Sequence, residues 1–165
     1  MSLVKSIGIV VFRRTPRGRL YLMLHHRGPY WNFPKGRREA NEVRDELATA
    51  FRELAEETGI PRNTVRLLPD FRATYRYHFR GVDEDGRPEN VSKLAVFYLG
   101  ELLRPYPVTI SDEHLGADWC DADTAWRQLY YANGRKVLQL AEEYFRVGRP
   151  KRRRAGPTRP TAPRA

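Results

Sequence analysis

Apolar and polar positions follow two different periods along this chain. From Val4 to Arg14 the stretch VKSIGIVVFRR is rich in β-branched residues, which predicts a buried strand. Pro16 and Gly18 break the pattern, and LYLMLHH resumes it from Leu20, so the two predict a hairpin. RGPY reads as a loop, and WNFP as a short extended piece before Lys35-Gly36. The period then lengthens. Leu47, Ala50, Phe51 and Leu54 recur at i, i+3, i+4 and i+7, the apolar face of a helix. Asn41 or Asp45 is suited to cap its start, Gly59 its end, and Pro61 prevents continuation. TVRLLPDFRATYRYHF and NVSKLAVFYLGEL read as two further strand regions, joined as a second hairpin by the turn formers in RGVDEDGRPEN. ADWCD reads as a short strand, and ADTAWRQLYYA and NGRKVLQLAEEYFRV as helices. The last carries an apolar stripe of Val137, Leu140, Ala141, Tyr144 and Phe145. Strands on both sides of a helix, with helices closing the chain, predict an α/β fold with a mixed sheet and helices packed on it.

Composition refines this picture. The 165 residues are 41% hydrophobic, with nine Tyr, seven Phe and three Trp, enough to close one core. The single Cys120 permits no intramolecular disulfide and suits a reducing cytoplasm. The run Ile7 to Phe12 is too short to cross a bilayer, so no membrane association is expected. The net charge of +10 is uneven. Seven basic residues and no acid lie in 148–165, which leaves a mildly basic body over 1–147. The expectation is one domain over 1–147 and a disordered basic tail over 148–165. Clustered arginine there suits weak contact with RNA or DNA backbones.

The chemistry centres on FRELAEETGI. On a helix, Glu56 lies about 60° to one side of Glu53 and Glu57 about 40° to the other. Like charges so close repel. One explanation is a solvated acidic face paired with Arg44 and Arg52. The other is a hard divalent cation, which turns the repulsion into shared attraction. The preceding PKGRR is basic and contains glycine, so it suits an anion, and acids for metal beside bases for phosphate suit phosphoryl chemistry.

The stretch GRREANEVRDELATAFRELAEETGI resembles the Nudix box, the signature of hydrolases of nucleoside diphosphates linked to another group. Arg52, Glu53, Leu54, Glu56, Glu57, Gly59 and Ile60 match its second half, and Gly36 and Glu42 its opening. The chain departs from the pattern in one respect: nine residues separate Glu42 from Arg52 where the family has seven. That leaves Glu46 as an alternative to Glu42. IGIVVFRR, WNFPKG, VSKLAVFYLGEL and ISDEHLGADW extend the likeness towards the asymmetric diadenosine tetraphosphate (Ap4A) hydrolases.

The resemblance implies a Nudix fold, a mixed β-sheet sandwiched between α-helices. It implies Mg²⁺ or Mn²⁺ held by Glu53, Glu56, Glu57 and the Gly36 carbonyl, with one of these carboxylates or Glu113 as proton acceptor and His114 orienting Glu113. It assigns Lys35 to phosphate, Tyr77 to base stacking, and Arg52 with Glu42 to structural support. Lys93, inside an apolar strand, needs an anion if it faces inward, and is otherwise an edge charge. Tyr75 and Tyr77 alternate and so share a face, either as a stacking platform or packed under a loop. His25, His26 and His78 lack metal-ligand spacing. The implied activity is Mg-dependent cleavage of a nucleoside polyphosphate, Ap4A to ATP and AMP. Alternatives are RNA 5′ pyrophosphohydrolysis, diphosphoinositol polyphosphate hydrolysis, and a nucleotide or nucleic-acid binder without catalysis.

Overall fold

The computed structural model describes residues 2–148. Eight strands and three helices follow in the order β1 (Ser2–Thr15), β2 (Gly18–His25), β3 (Trp31–Asn32), β4 (Lys35–Arg37), α1 (Glu46–Thr58), β5 (Val65–Leu67), β6 (Ala73–Val82), β7 (Pro88–Leu102), β8 (Gly116–Cys120), α2 (Ala122–Gln128) and α3 (Ala132–Val147). The sheet is mixed. β1 runs parallel to β7 over eleven residue pairs, from Ser2–Val91 to Phe12–Glu101, and every other ladder is antiparallel. The strand order is β3-β2-β1-β7-β5, with β4 on β1, β6 on β7 and β8 on β2. The basic stretch expected over 148–165 lies, apart from Gly148, outside the described residues. Among the described residues no helix is long and apolar enough to cross a membrane.

Alternation along β1 and β7 sends side chains to two cores. Val10, Phe12, Tyr21, Met23, Ala95, Phe97 and Leu99 pack under α3 through Val137, Leu138 and Ala141. Ile7, Ile9, Val11, Leu22 and Val96 pack against Ala50, Phe51 and Leu54 of α1. Burial of each Val, Ile, Leu, Phe or Met among these contributes about 1.5–3 kcal/mol, so α1 is anchored by its apolar stripe. The helix is capped as its sequence requires. The Asp45 carboxylate accepts the Ala48 N–H, and Gly59, at φ 72°, closes the C-terminus in the left-handed conformation. Of the two expected caps, Asp45 takes the position, and Asn41 sits in a 3₁₀ turn over Ala40–Glu42.

Two expectations need correction. TVRLLPDFRATYRYHF is not one strand region, because the turn at Pro69-Asp70, with Asp70 at φ 62°, divides it into β5 and β6. The helix expected through Ala132 ends at Gln128, and α3 starts afresh at Ala132. The hairpin turn between β6 and β7 falls at Asp83–Arg87, where the Asp83 carboxylate accepts the N–H groups of Asp85 and Arg87.

The central strand holds β4 closely. Gly8 pairs with Lys35, and a Cβ on Gly8 would meet the Pro34 carbonyl oxygen at 2.2 Å. Gly8→Ala is therefore expected to push β4 off β1 and to cost about 1–3 kcal/mol of stability. Thermal denaturation should show a clear fall in Tm.

Candidate active site

The α1 face towards β4 is organised by Arg52. Its Nε donates to Glu42 Oε1 at 2.7 Å and its Nη2 to Glu42 Oε2 at 3.1 Å. Nη1 reaches Glu53 Oε1 at 2.9 Å and Glu56 Oε2 at 3.0 Å, and Nη2 also donates to the Arg37 carbonyl at 2.9 Å. The nine-residue spacing thus does not part Glu42 from Arg52. A turn at Val43–Arg44, between the 3₁₀ turn and the Asp45 cap, lies in the lengthened segment. Glu42 also accepts the Thr49 hydroxyl at 2.8 Å and the Glu39 N–H at 3.1 Å. The hydrogen bonds from Arg52, then Glu39 and Thr49, outweigh its burial and hold the Glu42 carboxyl at about 2. Glu46 is no substitute for it, because its carboxylate is taken up by Lys5, Arg72 and Tyr98.

The three helix carboxylates do not all point away from the core. Glu57 is buried, Glu53 is largely covered, and only Glu56 stands exposed on Arg52. The Glu53 carboxylate lies where a Cβ on Gly36 would be, with its Cδ at 1.8 Å from that position. Only glycine allows this approach. Glu57 Oε2 accepts the backbone N–H of Lys35 at 2.9 Å. Burial pushes the Glu57 carboxyl up to about 8, with Glu53 and Glu113 adding to the rise and the Lys35 N–H and ammonium opposing it. Burial also raises Glu53 against the pull of Arg52. Among the described residues no three His, Cys, Asp or Glu side chains form a ready-made metal cage.

On the other side of β4 lies a cleft of about 490 Å³, into which Lys35 projects. Tyr75, Tyr77 and Phe79 form one wall as a ladder, with ring centroids 6.0 and 5.9 Å apart. Tyr30 and Tyr131, stacked at 5.4 Å and 3°, stand at the cleft with Trp31 and Asn133. Sequence reasoning missed these four. The signal was the density of aromatic residues beside turns in GPYWN and LYYANG. Lys93 pairs with Tyr77 across the β6–β7 ladder. Burial, then the charges of Lys35 and Arg37, bring its ammonium down to about 8. Burial likewise lowers Lys35, against the pull of Glu57 and Glu53.

Glu113 lies exposed on the loop before β8, close enough to Glu57 to raise its carboxyl. His114 does not orient Glu113. Its ring is buried, turned inward to Ser111 and Glu57. The site therefore brings together Gly36 with Glu53, Lys35 with Glu57, and Arg52 with Glu42, Glu53 and Glu56. Lys35 and Tyr77 share the cleft. Lys93 is beside it on the same sheet face, whereas Glu113 and Glu56 approach from solvent.

A family model described as NUDIX domain matches residues 3–141. The asymmetrical bis(5′-nucleosyl)-tetraphosphatase of Caenorhabditis elegans is 29% identical over 138 residues, covering 82% of this chain and 92% of that protein. The protein of the same description from Rattus norvegicus is 28% identical over 152 residues, covering 86% and 95%. Among solved structures, a C. elegans Ap4A hydrolase binary complex aligns with a TM-score of 0.72 at 27% identity, covering 87% of this chain and 98% of the other.

The Arg52 contacts make two predictions. Arg52→Ala leaves Glu42 without its cation and should cost about 1–3 kcal/mol, read as a fall in Tm. The Glu42 carboxyl is held at about 2, below its usual 4.5, so its contribution is full above about pH 4.5 and fades as pH falls towards about 2. Denaturation midpoints measured from pH 6 downwards should therefore drop less steeply in Glu42→Gln than in the parent.

Proposed function

The chain belongs to the NUDIX domain family, and from that premise we propose that it is a Mg²⁺- or Mn²⁺-dependent hydrolase of dinucleoside polyphosphates, cleaving Ap4A asymmetrically. Water adds across one P–O–P bridge, and a nucleoside triphosphate and a nucleoside monophosphate leave. One observation carries this reading. Lys35 joins two halves of a site, its backbone N–H holding a buried glutamate of α1 while its side chain enters an aromatic, cationic cleft.

The residues present suit a hard cation. Glu53 occupies the space that Gly36 leaves free, and Glu57 is buried among acids with too little positive charge to match. Gly36, Glu53, Glu56 and Glu57 would hold the ion, in keeping with the few carboxylates that Mg²⁺ takes alongside water and phosphate. When bound, it neutralises phosphate charge and acidifies the attacking water. The chain's own groups do the remainder. Arg52 sets the directions of Glu53 and Glu56. Lys35 and Lys93 meet phosphate oxygens, and Tyr77 stacks on a base. Glu113, at the solvent edge, accepts the proton of the attacking water.

Separating the products of Ap4A by ion exchange tests the reading. Equal amounts of ATP and AMP, lost on adding EDTA, are expected. Two molecules of ADP, or turnover only of triphosphorylated RNA or a diphosphoinositol polyphosphate, would assign another substrate. Binding without turnover would make the protein a sensor. Glu57→Gln should lower kcat roughly 10²–10³-fold while the Tm holds, since burial already favours the neutral carboxyl. Lys93 loses its positive charge as pH rises through about 8, so kcat/KM should decline above that pH. In Lys93→Arg, whose guanidinium stays charged, the decline should be absent.

A further inference from the structure

His114 has no part in the mechanism above, yet it is among the most enclosed polar side chains of the site. Its side chain is 1% exposed. Nδ1 lies 2.9 Å from the Ser111 hydroxyl, and Nε2 lies 3.4 Å from Glu57 Oε1. That separation is too long for a good hydrogen bond, and among the described residues Nε2 has no other partner. A buried donor left so poorly paired is costly unless something compensates. Contacts of this kind are often long in the free enzyme and tighten in the loaded one.

The backbone fixes where this ring stands. The Thr109 N–H donates to the Thr58 carbonyl at 2.9 Å, and the Ser111 N–H to the Glu57 carbonyl at 3.3 Å. Further on, the Leu115 N–H donates to the His25 carbonyl at 2.8 Å. The loop is thereby fastened both to the end of α1 and to the end of β2, and the imidazole is set at the height of the Glu57 carboxylate. His26 closes the cleft side, its ring 4.6 Å from that of His114 at 60°. Glu57 is approached from two directions by different elements, with the Lys35 N–H on Oε2 and His114 Nε2 on Oε1.

We propose that His114, held by Ser111, is a positioning residue that clamps Glu57 against β4 and so presents its carboxylate to the divalent cation. This deepens the function proposed above and rests on it. With the Ser111 hydroxyl donating to Nδ1, a neutral imidazole carries its proton on Nε2, aimed at Glu57. Groups that orient a metal-holding carboxylate in this way set metal affinity and activity without touching the substrate.

Mn²⁺ alone is the probe, titrated into the full chain and followed by the electron paramagnetic resonance of the free ion. kcat and KM for Ap4A are measured alongside. Glu57→Gln is the benchmark and should weaken Mn²⁺ binding. His114→Phe keeps the volume but removes the donor, and should weaken Mn²⁺ binding and lower kcat by about 10–100-fold with KM little changed. His114→Gln restores an N–H and should recover most of the loss. Ser111→Ala, a gentler change, should fall between them with the parent's Tm. Parental Mn²⁺ affinity in both His114→Phe and Ser111→Ala, with Glu57→Gln impaired, would overturn the role of His114 alone. Equal losses in His114→Phe and His114→Gln that follow their Tm would reduce it to packing. Parental affinity in Glu57→Gln would instead bring down the metal reading beneath it. Should His114→Phe fail to fold, parental Mn²⁺ affinity in Ser111→Ala suffices to overturn the proposal.

Discussion

A single guanidinium ties this site together. Arg52 projects from the middle of α1 and spends its donors on Glu42 in the preceding turn, on Glu53 and Glu56 of its own helix, and on the Arg37 carbonyl of β4. A lysine could offer a charge there but not the planar fork, which reaches several acceptors at once in fixed directions. Because one end of the network is a strand carbonyl, the register between helix and strand is set by the same group that separates the acids. The approach of Glu53 to Gly36 follows from that register. So does the bond from the Lys35 N–H to Glu57, one helical turn further on.

β4 then acts as a partition. Its pairing with β1 alternates its side chains, so that Lys35 and Arg37 fall on the face carrying Tyr77 and Lys93, while Gly36 turns towards the helix carboxylates. Negative charge gathers on one side of three residues and positive charge on the other. Neither group is comfortable by itself. Burial pushes Glu57 and Glu53 towards neutrality, and pushes Lys35 and Lys93 the same way. The polyphosphate and counter-cation proposed above bring both signs of charge together and would complement such a divided surface.

Much of this could be read from residue order, because the informative features were local. The β-branched run of β1, the capped amphipathic α1 and the hairpin turn at Asp83 each declare themselves within a dozen residues. What could not be read depends on distant neighbours. Helical angles gather Glu53, Glu56 and Glu57 on one side, but nothing local says that β4 would bury Glu57 and leave Glu56 in water. The two extra residues before Arg52 cast doubt on Glu42, and only the turn at Val43–Arg44 shows how the contact survives. His114 was given to its neighbour Glu113, although a loop fastened to the end of α1 turns the ring to Glu57 instead. The far wall of the cleft comes from Tyr30 and Tyr131, a hundred positions apart, so no pattern within either stretch announces their stacking.

The parallel ladder between β1 and β7 bears on how the chain is made. Its first strand leaves the ribosome well before its partner, carrying Ile7, Ile9, Val10, Val11 and Phe12, all of them fully enclosed in the finished molecule. The strand that covers its long edge ends at Leu102, so that edge cannot be closed until the segments between them have emerged. Pairings this far apart in sequence form slowly, and a greasy strand waiting for its partner is open to other chains. During synthesis, therefore, β1 is where chaperone attention is needed, and crowding of nascent copies is hazardous there.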